Sequence, residues 1–418
     1  MFNKTVLDNG IRVISEQIDH VRSITIGVWV HCGSRYEDSK TNGLAHFIEH
    51  MLFKGTPKRS AFDIASAIDS VGGVMNAFTG KELTAFYITI PDYHLPLAID
   101  LLADIFKNSL FEEAEIGKEK SVILQEIKMV EDTPDEYIHD FFEALFWKEH
   151  SLGLPVLGTK DLIKTFEKEA LVRFFQSRYI GKNLVITAAG NLNHDGLAAM
   201  VEKAFDSPEQ QPDSQINVLP DVSSAIAVME KDLGQVHFVI GTLAPSAINP
   251  KRYQSLLLNT VLGGSMSSRL FQNIRENRGL VYAIHSYLAQ YMDVGMLGIY
   301  AGVAEDNLHE VISLIFDELY RLCNDPLTDQ EILSAKELLK GNYLLSMEST
   351  DNQMIKLAKN EICFGRNISM QEIIDLIEEI DKEGVRNLAC EIFNPGNISI
   401  AAMGHVSEND LTLDIIRS

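Results

Sequence analysis

Along residues 4–31 short runs rich in β-branched and apolar residues are separated by polar positions and break at Asp8-Asn9-Gly10. This predicts strands over Thr5 to Leu7 and Ile11 to Ser15 around a tight turn, then a third strand from Ile24 to His31. A polar loop from Gly33 to Asn42 follows. From Leu44 the period becomes helical: Leu44, Phe47, Ile48 and Met51 fall on one side, and His46, Glu49, His50 and Phe53 on the other. Residues 61–71 read as a helix stopped by Gly72-Gly73. Asn76 to Thr79 and Leu83 to Ile90 read as a hairpin whose second arm is rich in Thr, Phe, Tyr and Ile. Helical patterns then cover roughly 94–108, 113–131, 134–148 and 161–178, before a strand over 183–189.

The pattern repeats. Asp161-Leu162-Ile163 through Gly190 aligns without gaps onto Asp375-Leu376-Ile377 through Gly404, a constant offset of 214 that also matches Lys168-Glu169 with Lys382-Glu383. Between the halves, from Asp206 to about Ser223, the composition shifts to Asp, Ser, Pro and Gln, which is linker chemistry. The expected organisation is a duplicated domain: residues 1–205, a linker over 206–222, and residues 223–418. Each half is expected to be an α+β unit, a mostly antiparallel sheet with helices packed on one face. At the offset of 214, His46, Glu49 and His50 map to Thr260, Gly263 and Gly264. The scaffold therefore does not need those three side chains, and the first half carries the chemistry.

Composition narrows the classes. An apolar content of 46% and a charged content of 23% in 418 residues describe globular domains with sizeable cores. No apolar run approaches the ~20 residues of a membrane span. The start, Met1-Phe2-Asn3-Lys4-Thr5-Val6-Leu7, has neither signal-peptide nor Arg-rich presequence architecture, so a bacterial cytoplasmic location is expected. Cys32, Cys323, Cys363 and Cys390 form no C-x-x-C pair, which suits a reducing compartment. A net charge of −23 argues against nucleic acid or anionic lipid as the main partner and leans faintly toward basic peptides.

Imidazoles one helical turn apart can both reach one zinc ion, and a carboxylate between them can take a proton from water. His46-x-x-Glu49-His50 is the metalloprotease order His-Glu-x-x-His reversed. A catalytic zinc with two histidines still needs a protein ligand, often a carboxylate from another helix. On the helix over 113–131, Glu119 and Glu126 lie seven apart inside the arc of Ile116, Val122, Ile123, Ile127 and Val130, while Lys118, Lys120 and Lys128 lie outside it. Carboxylates on a buried face are costly unless a cation meets them. Zinc would meet one, and the other could orient a ligand.

Gly43-Leu44-Ala45-His46-Phe47-Ile48-Glu49-His50-Met51 followed by Phe53-Lys54-Gly55-Thr56 resembles the pitrilysin family of zinc peptidases, which includes insulin-degrading enzyme and the mitochondrial processing peptidase. The resemblance covers essentially the whole chain, duplication included. It implies Glu126, 76 positions after His50, as third ligand and Glu119 as a supporting carboxylate. It implies a substrate-binding edge strand at Asn76, Ala77, Phe78 and Thr79. In the second half, Leu262-Gly263-Gly264 through Leu270 leads into Arg275 and Tyr282, which the resemblance implies reach the active site and hold the substrate or its oxyanion. It further implies halves facing each other like a clam shell, and a homodimer enclosing a chamber that unfolded or short peptides enter. The expected activity is zinc-dependent endopeptidase, one Zn2+ per chain, with Glu49 as general base. The alternatives are a non-catalytic or partner-dependent subunit of a processing peptidase and, less favoured, a zinc hydrolase of non-peptide substrates or a structural zinc site. Leader removal and general oligopeptide clearance both remain open.

Overall fold

The computed structural model describes residues 2–206, 218–407 and 410–411, so most of the expected linker lies outside the described residues. The described chain forms two units that are not contiguous in sequence. The first draws on residues 2–129, 154–206 and 346–367, and the second on 130–153, 218–345 and 368–411.

The first unit is built on a sheet of six strands: β1 (Phe2–Val6), β2 (Arg12–Gln17), β3 (Ser23–Val30), β4 (Val74–Thr79), β5 (Thr84–Pro91) and β6 (Leu184–Gly190). Their order is β1-β2-β6-β3-β5-β4, and only the β2–β6 pair is parallel. One face carries helices α1 (Leu44–Leu52), α2 (Ala61–Asp69), α3 (Leu95–Asn108) and α4 (Glu113–Glu131), whose last two residues pass into the second unit. α5 (Pro134–Phe146) belongs to that second unit; α6 (Lys160–Thr165), α7 (Lys168–Arg178) and α8 (His194–Ala204) belong to the first. Val28, Ile26, Phe86 and Ile186 of the sheet meet Phe47, Ile48, Leu102 and Leu171 in one core. Burying this apolar face at about 25 cal/mol per Å² is the main force holding the layers together.

The second unit repeats the plan with five strands: β7 (Ile226–Glu230), β8 (Val236–Ala244), β9 (Val281–Gln290), β10 (Gly295–Val303) and β11 (Ser399–Gly404), in the order β7-β11-β8-β10-β9. Only β7–β11 is parallel. Its helices are α9 (Arg252–Leu262), α10 (Leu308–Asn324), α11 (Asp329–Ser346), α13 (Met370–Glu378) and α14 (Lys382–Ile392); α12 (Thr350–Phe364) belongs to the first unit. Removing β1 from the first sheet leaves the second sheet's order and directions. The repeat is therefore physical: an offset of 214 carries α7 onto α14. Gly190 and Gly404 also correspond, at φ +137° and +138°, where a Cβ would lie 2.2 Å from Ser23 O and 2.8 Å from Gln235 O.

Three expectations need adjustment. The helical pattern over 161–178 is two helices, because Phe166 turns to extended backbone (ψ 129°), buries its ring and ends α6, and Glu167 starts α7. Each sheet has its helical layer on one face, and the opposite face is covered by a single helix from the other half of the sequence. α12 lays Met354, Leu357 and Ala358 on Trp29, Ile14 and Val185, while α5 lays Ile138, Phe142 and Phe146 on Val239, Met296 and Ala401. Finally, the offset of 214 fails at the helix after β3 and β8, because only seven residues precede α9 where thirteen precede α1. Thr260 is thus near the end of α9, and Gly263 and Gly264 lie beyond it, whereas His46 is in the first turn of α1. The conclusion survives, since α9 (Arg-Tyr-Gln-Ser-Leu-Leu-Leu-Asn-Thr-Val-Leu) contains no His, Asp, Glu or Cys.

Candidate active site

α1 begins at Gly43, which adopts φ +100° and so has the left-handed backbone that glycine tolerates. A Cβ there would lie 2.9 Å from both Gly158 Cα and Ile163 Cδ1. The apolar side of α1, Leu44, Ala45, Phe47, Ile48, Met51 and Leu52, is in the core. This fixes the rotation of the helix and leaves His46, Glu49 and His50 on the remaining side.

α4 supplies the facing carboxylates. Ile116, Glu119, Ile123 and Ile127 are its buried positions, while Val122 is 38% exposed, so the apolar arc is narrower than its sequence suggests. Glu126 Oε2 lies 3.8 Å from His46 Nε2 and 3.6 Å from His50 Nε2. Among the described residues, His46, His50 and Glu126 form the one group of three potential ligands that converge within 4.8 Å of one another. Zinc bonds of about 2.0–2.2 Å at tetrahedral angles put donor atoms about 3.3–3.5 Å apart. The spacing here is that of a zinc cradle slightly relaxed, too long for direct hydrogen bonds. Glu126 Oε2 is buried and has no hydrogen-bond partner. A buried carboxylate oxygen without a donor is costly, and a cation between it and the two imidazole nitrogens removes the cost. Burial first, and His50 second, push His46 down to about 3, so its imidazole stays neutral and able to ligate. The residues fit the metal.

Around this cradle sit three supporting contacts. His50 Nδ1 is 2.9 Å from Glu119 Oε2. Glu119 accepts only, so Nδ1 carries the proton and the Nε2 lone pair is free to face Glu126. The buried Glu119 is itself paired with Lys54, Nζ to Oε1 2.7 Å. Glu49 accepts a hydrogen bond from Thr79 Oγ1 at 2.5 Å. Burial raises Glu49 above the ordinary carboxylate range, with Glu126 adding to the rise, while the Thr79 bond and His50 oppose it.

Thr79 belongs to β4, which pairs with β5 through Asn76↔Tyr87, Ala77↔Phe86, Phe78↔Ala85 and Thr79↔Thr84. β4 is the edge of the sheet, and among the described residues nothing pairs with its outer side. Ala77 and Thr79 point to the α1 side of the sheet. Phe78 points to the other face, its ring edge-on to Trp29 at 5.7 Å. Asn76 shares that alternation, and its side-chain oxygen accepts from the Ala77 N–H.

The side chains that the first unit brings together are therefore His46, Glu49, His50, Thr79, Glu119 and Glu126. Arg275 and Tyr282 lie in the second unit. Arg275 sits in the π-helical turn Phe271–Glu276 with its guanidinium 4.7 Å from the Phe271 ring, and Tyr282 is 77% exposed near the start of β9. Two contributors escaped the sequence reading. Lys54, four residues after His50, had a spacing signal. Glu37 had none, since it lies in an irregular turn and caps α1 from a distance.

Residues 12–160 match insulinase (peptidase family M16), and residues 165–339 match the peptidase M16 inactive domain. A Bacillus subtilis protein named as an uncharacterized zinc protease, YmxG, is 39% identical over 94% of this chain and 96% of its own length. A Rickettsia felis protein, also named an uncharacterized zinc protease, is 37% identical over 98% of each chain. Two crystal structures share the fold: a Helicobacter pylori protease (TM-score 0.89, 21% identity, 96% of this chain and 99% of that one) and a peptidase M16 inactive domain from Pseudomonas fluorescens (TM-score 0.91, 18% identity, 97% and 98%). Among the described residues no helix is long and apolar enough to cross a membrane. With both halves matched and relatives aligned over nearly their full length, this chain belongs to peptidase family M16, the insulinase family.

Proposed function

We propose that this chain is a zinc-dependent endopeptidase in which His46, His50 and Glu126 hold the metal and Glu49 is the general base. One observation carries the reading: two imidazole nitrogens converge on the partnerless Glu126 Oε2, next to a carboxylate held by Thr79. Bound zinc supplies a Lewis acid that polarises the peptide carbonyl and acidifies water. Glu49 takes the proton of the attacking water and delivers it to the departing amine, and the raised affinity that burial gives its carboxyl suits that exchange. Glu119 holds His50 in the tautomer that ligates. The outer edge of β4 takes an extended peptide as an added strand, through backbone hydrogen bonds that read shape more than sequence.

We assign Arg275 and Tyr282 to holding the substrate and stabilising its oxyanion, on family resemblance alone. The same resemblance supports a homodimer and an enclosed chamber that admits short or unfolded peptides. The proposed location is the bacterial cytoplasm.

The test is cleavage of a mixed library of peptides of about 10 to 30 residues, long enough to lie along a strand edge, read by mass spectrometry with and without chelator. Cleavage lost in chelator and restored by zinc is the expected result. One bound zinc without any cleavage would favour the partner-dependent subunit instead.

A further inference from the structure

Between β3 and α1 the chain makes the short turn Ser34–Tyr36 and then places Glu37 against the first turn of α1. Ser34, Arg35 and Glu37 are all buried. This turn is fastened on two sides.

On one side it holds the hairpin that carries β4. Ser34 N–H donates to Gly80 O (3.2 Å) and Arg35 N–H to Lys81 O (2.7 Å), and these carbonyls belong to the β4–β5 turn. Arg35 Nη1 pairs with Glu82 Oε1 at 2.6 Å, with both side chains largely withdrawn from water. The approach is so close that a Cβ on Gly33 would lie 2.2 Å from Gly80 O.

On the other side it holds α1. Glu37 Oε2 accepts from Gly43 N–H (2.8 Å) and Oε1 from Ala45 N–H (2.6 Å). Oε2 also accepts from Asn42 Nδ2 (3.1 Å), whose second bond goes to Pro155 O (2.9 Å). Gly43, the N-cap, has no side chain to satisfy these donors, so a remote carboxylate does it. A neutral cap would cost less to bury; burial pushes Glu37 up to about 7 despite the three donors. A forked acceptor spanning two N–H groups fixes the rotation of the first turn as well as its position. His46 directly follows Ala45, and His50 lies one turn further. A twist of that turn moves both imidazoles relative to Glu126, which is on another helix. Metal sites need their ligands within about 0.5 Å of the productive geometry.

We propose that Glu37 is a positioning residue for the metal site: through the buried Ser34–Glu37 turn it registers α1, bearing His46, Glu49 and His50, against the hairpin bearing Thr79 and the open edge of β4. The inference rests on the zinc peptidase reading above. It assigns Glu37 an effect on zinc geometry and on the Glu49–Thr79 contact, beyond its contribution to helix stability.

The experiment compares wild type with Glu37→Ala and Glu37→Asp. Zinc Kd is measured by competition with a chromogenic chelator, the visible spectrum of the cobalt-substituted protein reports ligand geometry, and kcat and KM are followed on a library peptide. Glu37→Ala is expected to weaken zinc about 10- to 100-fold, the usual range for losing an outer-shell partner, to shift the cobalt spectrum, and to lower kcat more than it raises KM. Glu37→Asp, which keeps the charge, is expected to recover part of each. A Glu37→Ala protein with a lower Tm but wild-type zinc Kd and cobalt spectrum would overturn the proposal. Should the alanine variant not fold, Glu37→Gln keeps one acceptor oxygen and decides on the same two readouts: intermediate weakening supports the proposal, and wild-type values overturn it. A wild-type protein that binds no zinc would refute the function proposed above and this role with it, and that failure shows in the wild-type arm alone.

Discussion

α1 and α9 occupy the same place in two sheets of the same strand order, and they differ in almost everything chemical. α1 presents two imidazoles and a carboxylate beside the Glu119 and Glu126 carboxylates of α4. α9 presents no ionisable side chain except Arg252 and Tyr253 at its start. In the second unit α11, which the offset of 214 aligns with α4, carries the partly buried Glu331, and there Arg269 meets it, Nε to Oε1 2.8 Å. One fold thus answers the cost of part-buried carboxylates in two ways, with an arginine in one unit and a metal cradle in the other. The six extra residues before α1, which include room for the Ser34–Glu37 turn, are a second difference of the same kind. Strand order and core packing are shared, so they cannot be what sets the two units apart chemically.

The sharpest way to break the contrast is to make α1 like α9. His50→Ala should leave the protein folded, bind zinc well below one per chain, and lower turnover to about a thousandth or less of wild type; metal analysis and a peptide assay check it. Glu119→Gln comes next. It replaces the carboxylate that accepts from His50 Nδ1 with a weaker amide oxygen and should weaken zinc about 10- to 100-fold, read by chelator competition. Thr79→Val removes the hydrogen bond that holds the Glu49 carboxyl down. Glu49 must be ionised to act, so activity falls as pH drops through its pKa. Without Thr79 that pKa rises, and the acid limb of the pH–rate profile should move to higher pH, with a loss of about tenfold on that limb for one bond of about 1.5 kcal/mol and little change on the plateau above it. The smallest effect is expected in the other unit: Thr260→Ala should leave zinc content unchanged and turnover within about twofold, at a stability cost near 1 kcal/mol for its bond to Leu256 O. A zinc loss there would mean that the second unit shapes the metal site.

Much of this contrast was legible in the sequence, and for physical reasons. The face of α1 is set by periodicity, so His46, Glu49 and His50 announce themselves once Leu44, Phe47, Ile48 and Met51 are placed in the core. Glu119 stands out as a carboxylate inside an apolar arc. The third-ligand role proposed for Glu126 came from family resemblance, and its partnerless oxygen supports that proposal. The seating of α12 was not legible, because Trp29 with Met354 and Thr25 and Thr89 with Asp351 are pairings across more than 250 residues that no local period encodes. The break at Phe166 was hidden because the apolar spacing runs on through both helices while the backbone does not. Glu37 and Thr79 act through irregular contacts, a turn capping a helix and a strand end touching a carboxylate, where residue type alone says little.

The central claim is that the first unit binds zinc and that Glu49 performs the proton transfer. The most direct measurement is zinc content together with turnover for Glu49→Gln, an isosteric change that leaves His46, His50 and Glu126 intact. One zinc per chain, with turnover lowered about 10²- to 10⁴-fold, the usual worth of a positioned general base, is the predicted result. A zinc-loaded variant that cleaves peptides at near the wild-type rate would contradict it.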